Sequence, residues 1–335
     1  MTIDISTNYL GMKLRSPIVA SACPANAALS VLHRLQDAGC GAAVLPSLFE
    51  EQIEHEEAVF GSLHEYGSES FAEAATYFPE LDTYNTGPDD YLRLVETATR
   101  QLSMPIIASL NGVTKGGWTR YAKLIQDAGA KALELNMYYL PTDPDVDAMQ
   151  VEANYLELVQ QVSSSISIPL AVKIGPCFSA PANFAKKLVA AGARGIILFN
   201  RFMQPDIDLD SMQVNPQLVL STNLEMKLPL RWIAILHGRI NASLAATSGI
   251  HTAADVLKLL LVGADVTMLT TTLMRHGPYY VATILKDLQA LLEEHGYSAI
   301  SQLKGSMSHR HCPNPAEFER SNYMRALTSF TSDFV

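Results

Sequence analysis

Apolar residues arrive along this chain in two rhythms. Short runs that are apolar at nearly every position, such as Ala42-Ala-Val-Leu45, Ala132-Leu-Glu-Leu-Asn136 and Leu170-Ala-Val-Lys-Ile174, alternate with longer stretches of helical periodicity. Runs without polar alternation are strands buried on both faces, as in a parallel sheet covered by helices. The pattern predicts strands at Ile18–Ala22, Ala42–Leu45, Ile106–Leu110, Ala132–Asn136, Leu170–Ile174, Gly195–Asn200, from Ser243, and at Val266–Thr272. Helices are expected from Leu29, over Asp89–Leu102, from Trp118, over Val151–Ser163, from Ala182, over Leu230–Leu236 and over Ala253–Leu261, after a lead-in hairpin within Tyr9–Pro17. Helices end at Gly39, Gly129, Gly192 and Gly263, where a left-handed cap relieves strain, and two more stop before Pro105 and Pro169. Eight strands alternating with helices is the grammar of an α/β (β/α)8 TIM barrel. It forms one domain over residues 1–308, with a long insertion after strand 2 and a C-terminal extension over 309–335. A doubly wound open sheet fits less well, because no GxGxxG follows the first strand.

Composition narrows the classes of partner. With 335 residues, 48% hydrophobic and 17% charged, the chain can bury a large core and is not of disordered type. A net charge of −10 gives no electrostatic reason to bind nucleic acid or an anionic membrane. No apolar run approaches the roughly 20 residues of a membrane span, and no signal peptide is visible at the N-terminus. Cys23, Cys40, Cys177 and Cys312 are scattered without a CxxC pair, which fits a reducing cytoplasm and offers no ligand set for zinc or iron–sulfur. Residues 46–88 break the barrel rhythm with an acidic stretch (Glu50 to Glu57) and a Gly-, Ser- and Tyr-rich segment. Loops of that length are usually functional or disordered.

In a barrel, polar residues at strand C-termini face the active site. This chain places Ala20-Ser21 after strand 1, Ser109 and Asn111 on strand 3, Asn136 on strand 4, Lys173 on strand 5 and Asn200 on strand 6. Ser248, Gly249 and Thr270 to Thr272 follow strands 7 and 8, where hydroxyl and backbone N–H donors suit a phosphate. Lys173 lies within an apolar run, so its ammonium requires an anion; a ligand supplies one, and so does Glu134.

In order and spacing these elements resemble the FMN-dependent dihydroorotate dehydrogenases and related flavin barrels. The resemblance runs from about Leu10 to Ser308. It is carried by Ser16-Pro-Ile-Val-Ala-Ser21, Asn85-Thr-Gly-Pro-Asp-Asp-Tyr91, Glu134-Leu-Asn136, Pro169-Leu-Ala-Val-Lys173, Thr247-Ser-Gly-Ile250, Gly263-Ala-Asp-Val266 and Thr270-Thr-Thr-Leu273. It implies FMN over the barrel mouth, with Ala20, Ser21 and Asn111 along the ring and Asn136 and Lys173 on the ring or ribityl chain. Ser248, Gly249, Thr270 and Thr271 would hold the phosphate, and Asn136 and Asn200 would meet a pyrimidine-like substrate. The resemblance also implies a homodimer and a separate electron acceptor.

This sequence departs from the family where the substrate base belongs. After E-L-N the family carries a Cys or Ser within S-C-P-N or S-x-P-N; here Asn136-Met-Tyr-Tyr-Leu-Pro141 puts Tyr139 at that position and loses the second substrate Asn. A tyrosine with a pKa near ~10 is a weak base at neutral pH. The family's lysine after strand 2 is Pro46, and its substrate-loop motif is not recognisable between Gly61 and Asp82. The flavin half is thus kept and the substrate half rebuilt. The leading expectation is an FMN oxidoreductase acting on dihydroorotate or a related small molecule, with Tyr139 and Lys173 as catalytic residues. The alternatives are a non-catalytic flavin- or phosphate-binding subunit of a larger redox complex, and a phosphate-substrate lyase or isomerase using Lys173. His309, His311 and Cys312 lack a fourth ligand and are expected to be solvated rather than metal-bound. Asn314 is expected to cap a helix begun by Pro315. Met203 to Pro216 is expected to be a loop beside the site.

Overall fold

The computed structural model describes residues 3–53, 87–112, 118–201, 203–216, 218–320 and 322–331. A lead-in hairpin, β1 (Thr7–Tyr9) and β2 (Met12–Leu14), precedes the barrel strands β3 (Ile18–Ala20), β4 (Ala42–Phe49), β5 (Ile106–Asn111), β6 (Ala132–Asn136), β7 (Leu170–Ile174) and β8 (Gly195–Leu198). A second hairpin, β9 (Pro205–Asp208) and β10 (Gln213–Pro216), then leaves the sheet before β11 (Ser243–Thr247) and β12 (Val266–Leu269) close it. The closed order β3-β4-β5-β6-β7-β8-β11-β12 is parallel throughout, so the barrel is eight-stranded, as its apolar rhythm requires. Gly39, Gly129, Gly192 and Gly263 all have left-handed φ, between +97° and +116°, as helix caps. Among the described residues no helix is long and apolar enough to cross a membrane.

Alternation along each strand divides the core into two. Outward residues such as Leu133, Leu135 and Val172 pack under the helices. Inward residues such as Val44, Ile107, Ala132, Ala171, Ile197 and Ala245 fill the barrel, and Tyr9, Leu10 and Leu14 of the lead-in hairpin pack against them. By the same alternation Glu134 and Lys173 point inward, because each lies two residues beyond an inward alanine on its strand. The helices over Pro88–Gln101, Trp118–Asp127, Ala148–Ser165, Pro181–Ala190 and Ala253–Val262 match the periodic stretches to within three residues.

Several boundaries differ from expectation. The strand expected to stop at Leu45 runs to Phe49, with a register shift between Val44 and Ser47. Pro46 falls inside that shift, where its missing N–H removes no regular ladder bond. The last strand stops at Leu269 rather than Thr272, because Thr271 opens a helix to His276. Consecutive threonines carry no sequence mark for that change. The segment 203–216 is an exposed antiparallel hairpin, not an irregular loop: Ile207, Leu209, Met212 and Val214 are all more than half exposed. Asn314 does not cap by its side chain; Pro315 opens a short 3-10 turn and Asn314 bonds Glu317 instead. Glu50 begins a helical turn, while the acidic stretch from Glu54 and the substrate-loop segment lie outside the described residues.

Within the histidine-rich tail His309 is packed rather than solvated, while His311 is exposed. The His309 side chain is 13% exposed, its Nε2 lies 2.8 Å from Glu319 and its Nδ1 2.9 Å from Arg239. Since Arg239 can only donate, Nδ1 accepts and Nε2–H donates to Glu319. His311 Nδ1 lies 3.1 Å from both the Ser308 hydroxyl and the Gly305 carbonyl. The cluster fastens the tail to the barrel flank, where His309 N–H donates to Ala234. No metal-type cluster occurs among the described residues.

Candidate functional site

The C-terminal ends of β3, β7, β8, β11 and β12 surround a cavity of about 610 Å³. That volume lies in the range of small-molecule and cofactor sites. Its described wall includes Ser21, Lys173, Asn200, Ser248, Gly249, Thr270 and Thr271, seven of the residues singled out in the sequence. A second hollow, about 730 Å³, lies at the strands' N-terminal ends beside Asn8, Arg194 and Ser243, the face where barrels do not carry their chemistry.

The hydroxyl end of the cavity is built from backbone held unusually close. Gly249 has φ +72°, and a Cβ there would lie 2.5 Å from the Met226 nitrogen and 2.6 Å from the Thr222 carbonyl oxygen. Only glycine lets the loop over 222–226 pack against the turn after β11. Ser248 beside it is also left-handed, at φ +79°. Ser221, 5% exposed, donates its hydroxyl to Thr271 Oγ1 at 2.9 Å and receives the Gly249 N–H at 3.4 Å. A turn locked by Glu225 and a capping box at Thr252 and Asp255 fix the surrounding chain. Glu225 accepts from the Thr222 N–H and hydroxyl, each at 2.6 Å. Asp255 accepts from the N–H and hydroxyl of Thr252 and from Asn223 Nδ2 at 2.7 Å. Partial burial opposes ionisation of Glu225, but the Thr222 bonds and nearby Arg201 together hold its carboxyl below the usual range.

Lys173 supplies a cation to the cavity. Its side chain is 9% exposed, and its Nζ lies 3.6 Å from an oxygen of Glu134, which is fully buried. No protein donor among the described residues hydrogen-bonds either Glu134 oxygen. Ser109, its neighbour in register, shares its hydroxyl with Ser47 at 2.8 Å instead. Lys173 is thus paired with Glu134 and also lines the cavity. Asn200 Nδ2 donates to Asn136 Oδ1 at 2.6 Å, and Asn111, Asn136 and Lys173 stand side by side in register.

Other expected residues stand back from the described lining. Ala20 is buried beside Leu269, and Asn111 and Asn136 reach the cavity only through their neighbours. Tyr139 is half-buried against the core and does not line the cavity. Its backbone N–H faces the phenol of Tyr155, whose pKa burial pushes up to about 12. The segments 54–86 and 113–117, which follow β4 and β5 in the chain, are outside the described residues. Ser221, Arg201 and Glu225 escaped the sequence reading. Arg201 hydrogen-bonds the Val219 carbonyl and pairs with Glu225 at 3.4 Å. The Thr222-x-x-Glu225 capping pattern was the available signal.

The cysteines separate cleanly. Burial raises the Cys23 thiol and pushes Cys40 up to about 11, so both are protonated at neutral pH. Cys177 is exposed and lines the cavity. Alkylation at pH 7 is expected to modify the exposed Cys177 and spare Cys40, which is buried and held as the thiol. Peptide mass spectrometry checks this, and modification of Cys40 before Cys177 would contradict it.

Comparison with known proteins places this architecture. The family model described as dihydroorotate dehydrogenase matches residues 80–292. An Aeropyrum pernix protein provisionally named dihydroorotate dehydrogenase A (fumarate) is 25% identical over 225 residues, 66% of this chain and 73% of its own. The catalytic subunits of dihydroorotate dehydrogenase B (NAD(+)) from Bacillus mycoides and Listeria welshimeri are 28% and 27% identical, each over 61% of this chain and 68% of the relative. An eight-stranded barrel, a cavity at the strand C-termini and a match over most of its length make this chain a divergent member of the dihydroorotate dehydrogenase family.

Proposed function

We propose that the chain is an FMN-dependent oxidoreductase that oxidises dihydroorotate, or a related small pyrimidine-like molecule, and passes the electrons to a separate acceptor. The observation that carries the reading is the single cavity wall uniting Lys173 with Ser248, Gly249, Thr270 and Thr271. The donor set fits the cofactor: hydroxyls and close backbone suit a phosphate, and a cation suits the electron-accepting edge of an isoalloxazine. In this reading Ser248, Gly249, Thr270 and Thr271 hold the phosphate, with Ser221 orienting Thr271. Ala20, Ser21, Asn111, Asn136 and Lys173 serve the ring and ribityl chain. When bound, FMN supplies the hydride-accepting centre. The Asn200 amide, oriented by its bond to Asn136, recognises substrate polar groups together with Asn136.

Lys173 is supported by the cavity it lines; Tyr139, as proton acceptor, is supported by its place three residues after Asn136. The Bacillus and Listeria relatives are named as catalytic subunits that use NAD(+), which supports an acceptor reached through another protein. The exposed apolar hairpin β9–β10 supports the homodimer in this reading. The position of Tyr139 away from the described cavity wall favours one second reading, a flavin-binding subunit without dihydroorotate chemistry of its own.

Anaerobic addition of dihydroorotate to the purified yellow protein tests the proposal. Bleaching of the flavin band is expected, with Tyr139→Phe slowing it by roughly 10²-fold or more, the scale of a lost general base. A yellow protein that dihydroorotate does not bleach removes this substrate and leaves the second reading. Bleaching at an unchanged rate in the Tyr139→Phe protein removes Tyr139 from the chemistry.

A further inference from the structure

The least satisfied charged group among the described residues is Glu134. It is fully buried in the barrel interior, no protein donor hydrogen-bonds either carboxylate oxygen, and the charge it meets is Lys173 Nζ at 3.6 Å. A buried carboxylate without hydrogen bonds is costly, and a core built for stability alone would place an apolar side chain there, as Ala132 and Ala171 do in the layer below. Tyr9 is a further polar group near it: its phenol is fully buried without a hydrogen-bond partner, and burial followed by the charges of Glu134 and Asp265 raises its pKa well above the usual value. Cys23 lies close enough to Lys173 to feel its charge. Among the described residues Glu134 therefore meets one cation, Lys173, which itself lines the cavity.

We propose that Glu134 is a positioning residue that tethers the Lys173 ammonium below the cavity and limits the positive charge offered to the electron-accepting ring. The inference rests on the FMN reading above and deepens it. Glu134 sits two residues deeper on its strand than Asn136, is absent from the described cavity wall, and pairs with Lys173 on that wall. Its influence on a bound ring passes mainly through where Lys173 is held. A cation freed from its tether stabilises the reduced, negatively charged ring more than the oxidised one.

The test is the midpoint potential of protein-bound FMN, read spectroscopically against redox dyes in wild type, Glu134→Gln, Lys173→Met and the double variant. Glu134→Gln is expected to favour reduced over oxidised FMN by a further tenfold or more, an upward shift of about 30 mV for a two-electron couple. In the Lys173→Met background the same substitution is expected to shift the potential by less than half as much. Glu134→Asp, which keeps the charge on a shorter arm, is expected to shift it in the same direction by less, and serves if Glu134→Gln does not fold. An unchanged or lowered potential overturns the proposal, as does an equal shift with and without Lys173. Wild-type protein that binds no FMN overturns the FMN reading and this inference together; wild type that binds FMN, with a potential insensitive to Glu134, overturns this inference alone.

Discussion

Lys173→Met is expected to lower the free energy of unfolding by about 3–5 kcal/mol, the cost of stranding a buried charge after its partner is removed. The expectation rests on Glu134, whose side chain is 0% exposed and whose sole ionic partner among the described residues is Lys173. A methionine fills most of the lysine's volume, so little of the loss comes from packing. Adding Glu134→Gln to Lys173→Met is expected to restore most of the stability, because replacing both charges of a buried pair is often close to neutral. Urea denaturation of the two single variants and the double variant measures the coupling. If Lys173→Met alone is as stable as wild type, Glu134 is compensated in some other way and the ion pair has no structural weight.

Gly249→Ala is expected to abolish the phosphate end of the cavity. The added Cβ meets backbone at 2.5 Å and 2.6 Å, and backbone cannot rotate away as a flexible side chain can. The left-handed φ of +72° adds roughly 1–2 kcal/mol of strain for any residue with a Cβ. Relief requires the 222–226 loop to move, which breaks the Gly249–Ser221 contact and misplaces Ser221 and Thr271. FMN affinity is expected to fall at least 100-fold, about 2.7 kcal/mol, as read by quenching of flavin fluorescence. Gly277→Ala is the control: it also has positive φ, but a Cβ there meets nothing within 4 Å. Equal FMN affinity in wild type and Gly249→Ala would remove this turn from the cofactor site.

Much of the barrel is legible in the chain because its signals are local. A strand buried on both faces must be apolar at successive positions, as Ala132–Asn136 and Leu170–Ile174 are, and both were found at the expected bounds. Glycine caps are equally local, since the left-handed residue must be one that tolerates it. The inward direction of Lys173 follows from alternation once β7 is placed. What could not be read depends on pairs far apart in the chain. Ser221 meets Thr271 across 50 residues, and the loop that carries it has no periodicity. The end of β12 is set where pairing with β3 runs out at Ala20, which three consecutive threonines do not announce. The packing of His309 is invisible locally because its partners Arg239 and Glu319 come from separate segments. Tyr139 has the right place in the chain for a base, but its surroundings are set by Tyr155 on the following helix.

The central claim is that the cavity holds a phosphorylated flavin through the turns after β11 and β12. Titration of flavin-free protein with FMN and, separately, with riboflavin tests it most directly, since the two ligands differ only in the phosphate. FMN is predicted to bind at least 100-fold more tightly than riboflavin, with Gly249→Ala removing most of that difference. Equal affinity for the two ligands, or no binding of either, would contradict the account.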